Sequence, residues 1–311
     1  MDETTQLLLF IAYLFFEKKK QWEDFEEEIK YNNRFFPECE LLDDIKRIQN
    51  YAVWEIKEGD VFYRARPANS FSDYSRETLE ELNNIIKKYY PTLLKEDSFF
   101  DFSNSLEMIR FLIALLKAQQ DNLPFLDEIE QICNKNKSFW GYSVEGSDAP
   151  PREKATAGRA NPEGISYLYL AEDVKTVLME VRPNLSQDIS VATIKIKKKL
   201  RLFDFCYVEP NEAEKGKGFD LGIISSEFSK PNYGGGDNYY ATQYLCEFIK
   251  KLGFDGIRFY SSVNPGRKNI VLFDSKIDPV TNCKNYEIVE SKIYSITKLD
   301  LDYTQALPVK E

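Results

Sequence analysis

APPREKATAGRANPEGISYLYLAEDVKTVLMEVRP, residues Ala149–Pro183, sets a Gly-Arg-x-Asn-Pro turn, an aromatic strand and a Glu-bearing helix in direct succession. Ile165–Ala171 alternates as a strand does, and Asp173–Val181 carries Val174, Val177, Leu178 and Val181 at helical spacing. The turn glycines Gly158 and Gly164 bracket Arg159, and such glycines let backbone N–H groups approach a ligand closely. The bland alternative is a tight loop before a strand. Glu180 falls on the flank of the helix stripe and in its last turn, where the helix dipole disfavours negative charge. A helix selected for stability alone would carry Lys or Arg there. Arg182 could simply pair with it; a ligand cation or an active-site arginine would serve equally well.

Two further segments bear on this one. VFYRARP, Val61–Pro67, reads as a strand that puts Arg64 and Arg66 on one face, since side chains alternate with period two. A guanidinium holds a phosphate through two parallel hydrogen bonds; the alternative is a solvated strand edge. GFDGIRFYSSVNPGRKNIVLFD, Gly253–Asp274, reads as strands Gly256–Tyr260 and Asn269–Phe273 around the loop Ser261–Lys268. Ser261 or Ser262 could bind a ribose or phosphate oxygen, although a loop serine is usually a turn former. Tyr167 and Tyr169 alternate in the strand before the Glu helix. One can stack on a flat heterocycle while the other packs in the core.

Composition narrows the chemistry. With 30% charged and 43% apolar residues, the 311-residue chain reads as soluble and globular. A net charge of −10 argues against a general nucleic-acid binder. The chain contains no histidine, which removes His-based triads, HExxH zinc sites and His general bases. The five cysteines, Cys39, Cys133, Cys206, Cys246 and Cys283, form no CxxC pair, so no zinc ribbon is expected and a reducing cytoplasm fits. Leu7–Phe16 is apolar but shorter than the about 20 residues a membrane helix needs, and acidic residues precede it. It reads as a buried helix, with a partner-binding helix as the alternative.

The rest of the chain supplies scaffold. Residues 1–56 are helical and aromatic-rich. The stretch 68–146 carries helical periodicity at Arg76–Tyr90, Asn104–Gln120 and Leu126–Asn134 and reads as an insertion, either a passive layer or a lid. Further along come strands Ile189–Ile196 and Arg201–Val208, a charged loop Asn211–Gly218 and a glycine loop Pro231–Asp237. A helix Asn238–Leu252 is stopped by Gly253. The tail Tyr286–Leu301 alternates weakly, as an edge strand would.

Taken together, FYRAR, GRANPEGISYLYLAEDVKTVLMEVRP, YATQYLCEFIKKL and GFDGIRFYSSVNPGRKNIVLFD resemble the blocks of the RES domain family. The name denotes an arginine, a glutamate and a serine. By matching blocks, these are Arg64, Glu180 and Ser261, with Ser262 adjacent; Arg159 and Tyr169 match further positions of an NAD pocket, and Arg66 accompanies Arg64. The resemblance implies an α+β fold, a bent mixed sheet similar to that of ADP-ribosyltransferases. It implies an NAD-binding domain over 57–311, preceded by the helical region 1–56 and interrupted by the insertion at 68–146.

The implied activity is cleavage of the nicotinamide–ribose bond of NAD by a bacterial toxin or defence effector in the cytoplasm. Phosphate or water would be the acceptor. A protein side chain is an alternative acceptor, and an inactive partner-binding scaffold is an alternative of another class. NAD is then substrate, phosphate a possible co-substrate, and no prosthetic group or metal is needed. The implied partner is an Xre-like helix-turn-helix antitoxin, with no direct contact to nucleic acid or membrane.

Overall fold

Strands buried along most of their length, together with helices packed on them, give the chain a mixed α+β architecture. The computed structural model describes residues 3–68, 76–91, 106–119, 123–135, 141–185, 187–207, 221–230, 239–273 and 284–299. The loops Asn211–Gly218 and Pro231–Asp237, parts of 68–146 and the side chains of Leu7–Phe15 lie outside the described residues. No described helix is long and apolar enough to cross a membrane.

Helices α1 (Glu3–Glu27) and α2 (Glu40–Ile48) lead into strands β1 (Val53–Ile56) and β2 (Val61–Pro67). Helices α3 (Arg76–Tyr89), α4 (Leu106–Gln119) and α5 (Leu123–Lys135) follow. Then come β3 (Leu168–Ala171), α6 (Val174–Glu180), β4 (Asp188–Ile196) and β5 (Leu200–Asp204). The chain continues through α7 (Gly222–Ser229), α8 (Tyr240–Lys251), β6 (Gly256–Tyr260), β7 (Lys268–Leu272) and β8 (Tyr286–Ser295). Gly253 has φ of 91° and closes α8 as the sequence indicates, because only glycine enters that region without a Cβ clash.

Among the described residues the sheet has eight strands in the order β1-β5-β6-β7-β3-β2-β4-β8. Strands β5 and β6 run parallel, while β1–β5, β6–β7, β3–β7 and β2–β3 pair antiparallel. The sequence expectation of an edge strand in the tail is met by β8.

Connectivity forces this sheet to bend. Four strands separate β1 from β2 in the order, which in a flat sheet sets them about 24 Å apart at about 4.8 Å per strand. The link Lys57–Asp60 reaches roughly 17 Å at full extension. The sheet therefore curls, and the Trp54 and Phe62 rings meet edge to face at 6.1 Å.

The contacts divide the chain into two units: residues 1–64, 147–180 and 192–290 in one, and 65–146, 181–191 and 291–311 in the other. In the first unit, β-strand alternation feeds two cores. Phe203, Phe205, Ile257, Phe259, Val271 and Phe273 face helices α1, α2, α7 and α8. Leu168, Leu170, Leu200, Leu202, Ile270 and Leu272 face the inside of the bend with Ile56 and Phe62. Trp22, Phe25, Ile29, Leu41 and Ile45 of the helical N-terminal region share the first core with the sheet. In the second unit α3, α4 and α5 close a separate core around Leu82, Ile86, Ile113, Phe125 and Ile129.

Candidate active site

Helix α6 is brief and capped by its own sequence. Asp173 accepts the Thr176 N–H at 2.9 Å and the Thr176 hydroxyl at 2.7 Å, as an N-cap carboxylate does. Burial alone would raise the Asp173 carboxyl. The Thr176 backbone and hydroxyl donors, with Arg267 Nε at 3.6 Å, outweigh it and hold the group below its ordinary value. The buried face of α6 is Thr176 and Val177 rather than the wider apolar stripe read from the sequence. Two residues past the helix, Arg182 takes φ of 48°, the one positive value at a non-glycine among the described residues. Such a conformation costs about 1–2 kcal/mol. Strain of this kind collects next to functional groups.

Glu180 ends α6 and is half-buried. Its Oε1 accepts the Ser261 hydroxyl at 2.7 Å and the Asn269 side-chain amide at 2.6 Å. Neither donor is charged, so these contacts orient the carboxylate without cancelling its charge. Among the described residues both hydrogen bonds go to Oε1, which leaves Oε2 for a ligand.

The two adjacent serines differ in burial. Ser261 is buried and touches Glu180; Ser262 is exposed. The Ser261 oxygen also accepts the N–H groups of Val263 at 3.3 Å and Asn264 at 3.1 Å. One donated and two accepted bonds use the full capacity of a hydroxyl. In this arrangement the Ser261 hydroxyl is engaged by Glu180 and by its own loop. Asn264 extends the network by donating to Thr176 Oγ1 at 2.7 Å, so the serine loop is tied to both ends of α6.

Arg159 lies in a turn braced from several sides. The Tyr169 hydroxyl donates to Asn161 Oδ1 at 2.6 Å and accepts the Ala160 N–H at 3.0 Å. Burial pushes the Tyr169 phenol up, so it stays neutral. From α8, Thr242 donates to the Arg159 carbonyl and Gln243 to those of Gly158 and Asn161. A Cβ on Gly158 would lie 2.6 Å from both Asn161 Oδ1 and the Tyr169 hydroxyl, so no larger residue fits. The N–H groups of Gly158, Ala160 and Gly164 are used within this framework, against the expectation that they cradle a ligand. What the turn offers an anion is the Arg159 guanidinium, which gives one N–H to the Phe228 carbonyl at 3.1 Å.

The remaining candidates divide. Tyr167 is buried against Phe273 and donates to Glu247, so it is the core tyrosine of the pair. Arg64 is half-buried in β2, next to Tyr63, which is in register with Ala171 of β3. Arg66 belongs to the second unit, where it stacks on Tyr142 at 4.0 Å and donates to the Gly146 carbonyl at 2.6 Å. Cys206 is no nucleophile at neutral pH: burial and the neighbouring Asp204 push its thiol up to about 12. No group of His, Cys, Asp or Glu able to hold a metal occurs among the described residues.

Sequence reading passed over Asn269, Asn264, Thr176 and Gln243. The available signal was a polar residue where the pattern asks for an apolar one. Asn269 directly precedes the Ile-Val-Leu run of β7 and is buried like it, and Gln243 sits on the buried face of α8.

No curated protein matches the chain. The crystal structure of the M. tuberculosis MbcT–MbcA toxin–antitoxin complex is similar over 48% of this chain and 76% of that one, with 17% sequence identity and a TM-score of 0.31. The RES domain model matches residues 133–293, which include Arg159, Tyr169, Glu180, Ser261 and Asn269 but not Arg64 or Arg66. Because that match spans more than half of the 311 residues, the chain belongs to the RES domain family.

Proposed function

We propose that the protein cleaves the nicotinamide–ribose bond of NAD and transfers the ADP-ribosyl group to phosphate or water, as a toxin-type enzyme held by an antitoxin. The observation that carries this reading is the Glu180 carboxylate, fixed through Oε1 by two neutral donors. The bond breaks through an oxocarbenium-like state, as in glycoside cleavage. Nicotinamide leaves as a neutral base from a cationic starting point and needs no acid, so a chain without histidine suffices. Glu180 Oε2 would face the ribosyl cation and stabilise its charge. Arg159 and Arg64 would hold the pyrophosphate or an attacking phosphate. Tyr169 would keep the Arg159 turn in place and offer its ring edge to the nicotinamide side. Membership of the RES domain family supports the same chemistry.

The test is product analysis of NAD incubated with purified protein, with and without phosphate, beside Glu180→Gln. ADP-ribose 1″-phosphate formed only with phosphate supports a phosphorylase, and ADP-ribose in both buffers supports a glycohydrolase. Nicotinamide released with a labelled protein supports transfer to a side chain. Intact NAD at high enzyme concentration, free of any inhibitor protein, overturns the reading.

A further inference from the structure

We propose that Asn269 is a positioning residue for Glu180, and that its side-chain N–H, rather than its packing, is what the site needs; this rests on the reading of Glu180 as the group that meets the ribosyl cation. Asn269 lies in β7, paired with Phe259 of β6 on one side and Ala171 of β3 on the other. That is a central position, and the residue is only 7% exposed. Asparagine is disfavoured in strands, and its β7 neighbours Ile270, Val271 and Leu272 are all buried apolar side chains.

The amide is also half satisfied. Nδ2 donates to Glu180 Oε1 at 2.6 Å, and the group facing a carboxylate oxygen must be the donor. Among the described residues no donor reaches Oδ1, which is fully buried. An unpaired buried carbonyl oxygen destabilises a fold. An apolar residue of similar size would remove that burden, so stability alone does not account for an asparagine here. The one thing such a residue cannot do is hold Glu180.

The geometry of the pair explains why two donors are used. Ser261 approaches Oε1 from the loop after β6 and Asn269 from the strand after that loop. A single hydrogen bond leaves a carboxylate free to swing about it. Two donors from different elements on one oxygen fix the direction in which Oε2 points.

The experiment compares wild type, Glu180→Gln, Asn269→Leu and Asn269→Asp for NAD turnover and thermal melting. Asn269→Leu should lower kcat roughly 10- to 100-fold, the loss of one hydrogen bond to a charged group. KM for NAD should stay nearly unchanged, and the melting temperature should hold or rise. Asn269→Asp keeps the shape but replaces the donor with an acceptor, and should lower kcat at least as far. If burying that carboxylate unfolds the protein, Asn269→Leu still decides. Full activity in Asn269→Leu beside an inactive Glu180→Gln overturns the proposal and spares the reading of Glu180. A lower melting temperature with KM and kcat both impaired makes Asn269 a structural residue and also overturns it. An active Glu180→Gln, or wild type that leaves NAD intact, removes the reading of the site and this proposal with it.

Discussion

Ser261 donates its hydroxyl to Glu180 Oε1 at 2.7 Å while accepting two backbone N–H groups of its own loop. Glu180 and Ser261 are thus one hydrogen-bonded unit. The loop fixes the hydroxyl, the hydroxyl fixes the carboxylate, and the carboxylate is left with one oxygen directed elsewhere. Side chains locked by a second set of contacts hold a reacting group more tightly than side chains on a free loop.

The first expectation concerns the charge itself. Glu180→Gln keeps the size and can still accept from Ser261, but it cannot stabilise a ribosyl cation. Loss of one electrostatic contact of this kind typically costs about 10² to 10³ in rate. Turnover should fall by that factor while calorimetry still detects NAD binding. Near-normal turnover would move the catalytic role to another residue.

The two adjacent serines should separate. Ser261→Ala removes a hydrogen bond to a charged group and leaves the Val263 and Asn264 N–H groups without their acceptor. A fall in kcat of about tenfold or more is expected, with little change in KM. Ser262 is exposed, and Ser262→Ala should cost clearly less. Steady-state kinetics on both variants decides; equal losses would contradict the hydrogen bonding described.

Much of this site was legible in the sequence, and the reason is local. The Arg159 turn, the Tyr169 strand and the Glu180 helix are consecutive, so turn chemistry and two periodicities locate them without any tertiary information. The Ser261 loop follows for the same reason. What the sequence hides is whatever depends on pairing between distant segments. Asn269 reaches Glu180 across 89 positions, and Gln243 reaches Gly158 across 85. Neither contact has a local pattern. The bend of the sheet was accessible only through the family resemblance until the strand order gave it a mechanical cause in the link Lys57–Asp60. Alternation puts Arg66 on the face of Arg64, and its stacking on Tyr142, far along the chain, likewise has no local pattern.

Binding and turnover should respond to different residues. Arg159→Ala removes a guanidinium held beside the end of α7, and Arg64→Ala one from β2. Charge-assisted hydrogen bonds to phosphate are roughly twice as strong as neutral ones. On the Glu180→Gln background, where NAD survives, calorimetry should find weaker binding for both arginine variants than for Ser261→Ala. Equal affinities for all three would sink the phosphate role of the arginines.

Acid should act on the cap of α6. Asp173 is held below its ordinary value despite burial, by the Thr176 donors and by Arg267. A carboxyl whose folded pKa lies below its unfolded one, about 3.9, binds fewer protons folded than unfolded. It contributes stability above that unfolded pKa and loses it as pH falls through the folded one. Asp173→Asn can still accept the Thr176 N–H as an N-cap but has no charge to lose. The variant should therefore be less stable than wild type at neutral pH, and the gap should close on acidification below about pH 4. Urea melts at neutral pH and on either side of that value measure it. Because Thr176 also holds Asn264, the same acidification should loosen the serine loop and lower turnover in wild type more than in Asp173→Asn. A gap that stays constant or widens in acid would show that the carboxylate of Asp173 is not what holds the cap.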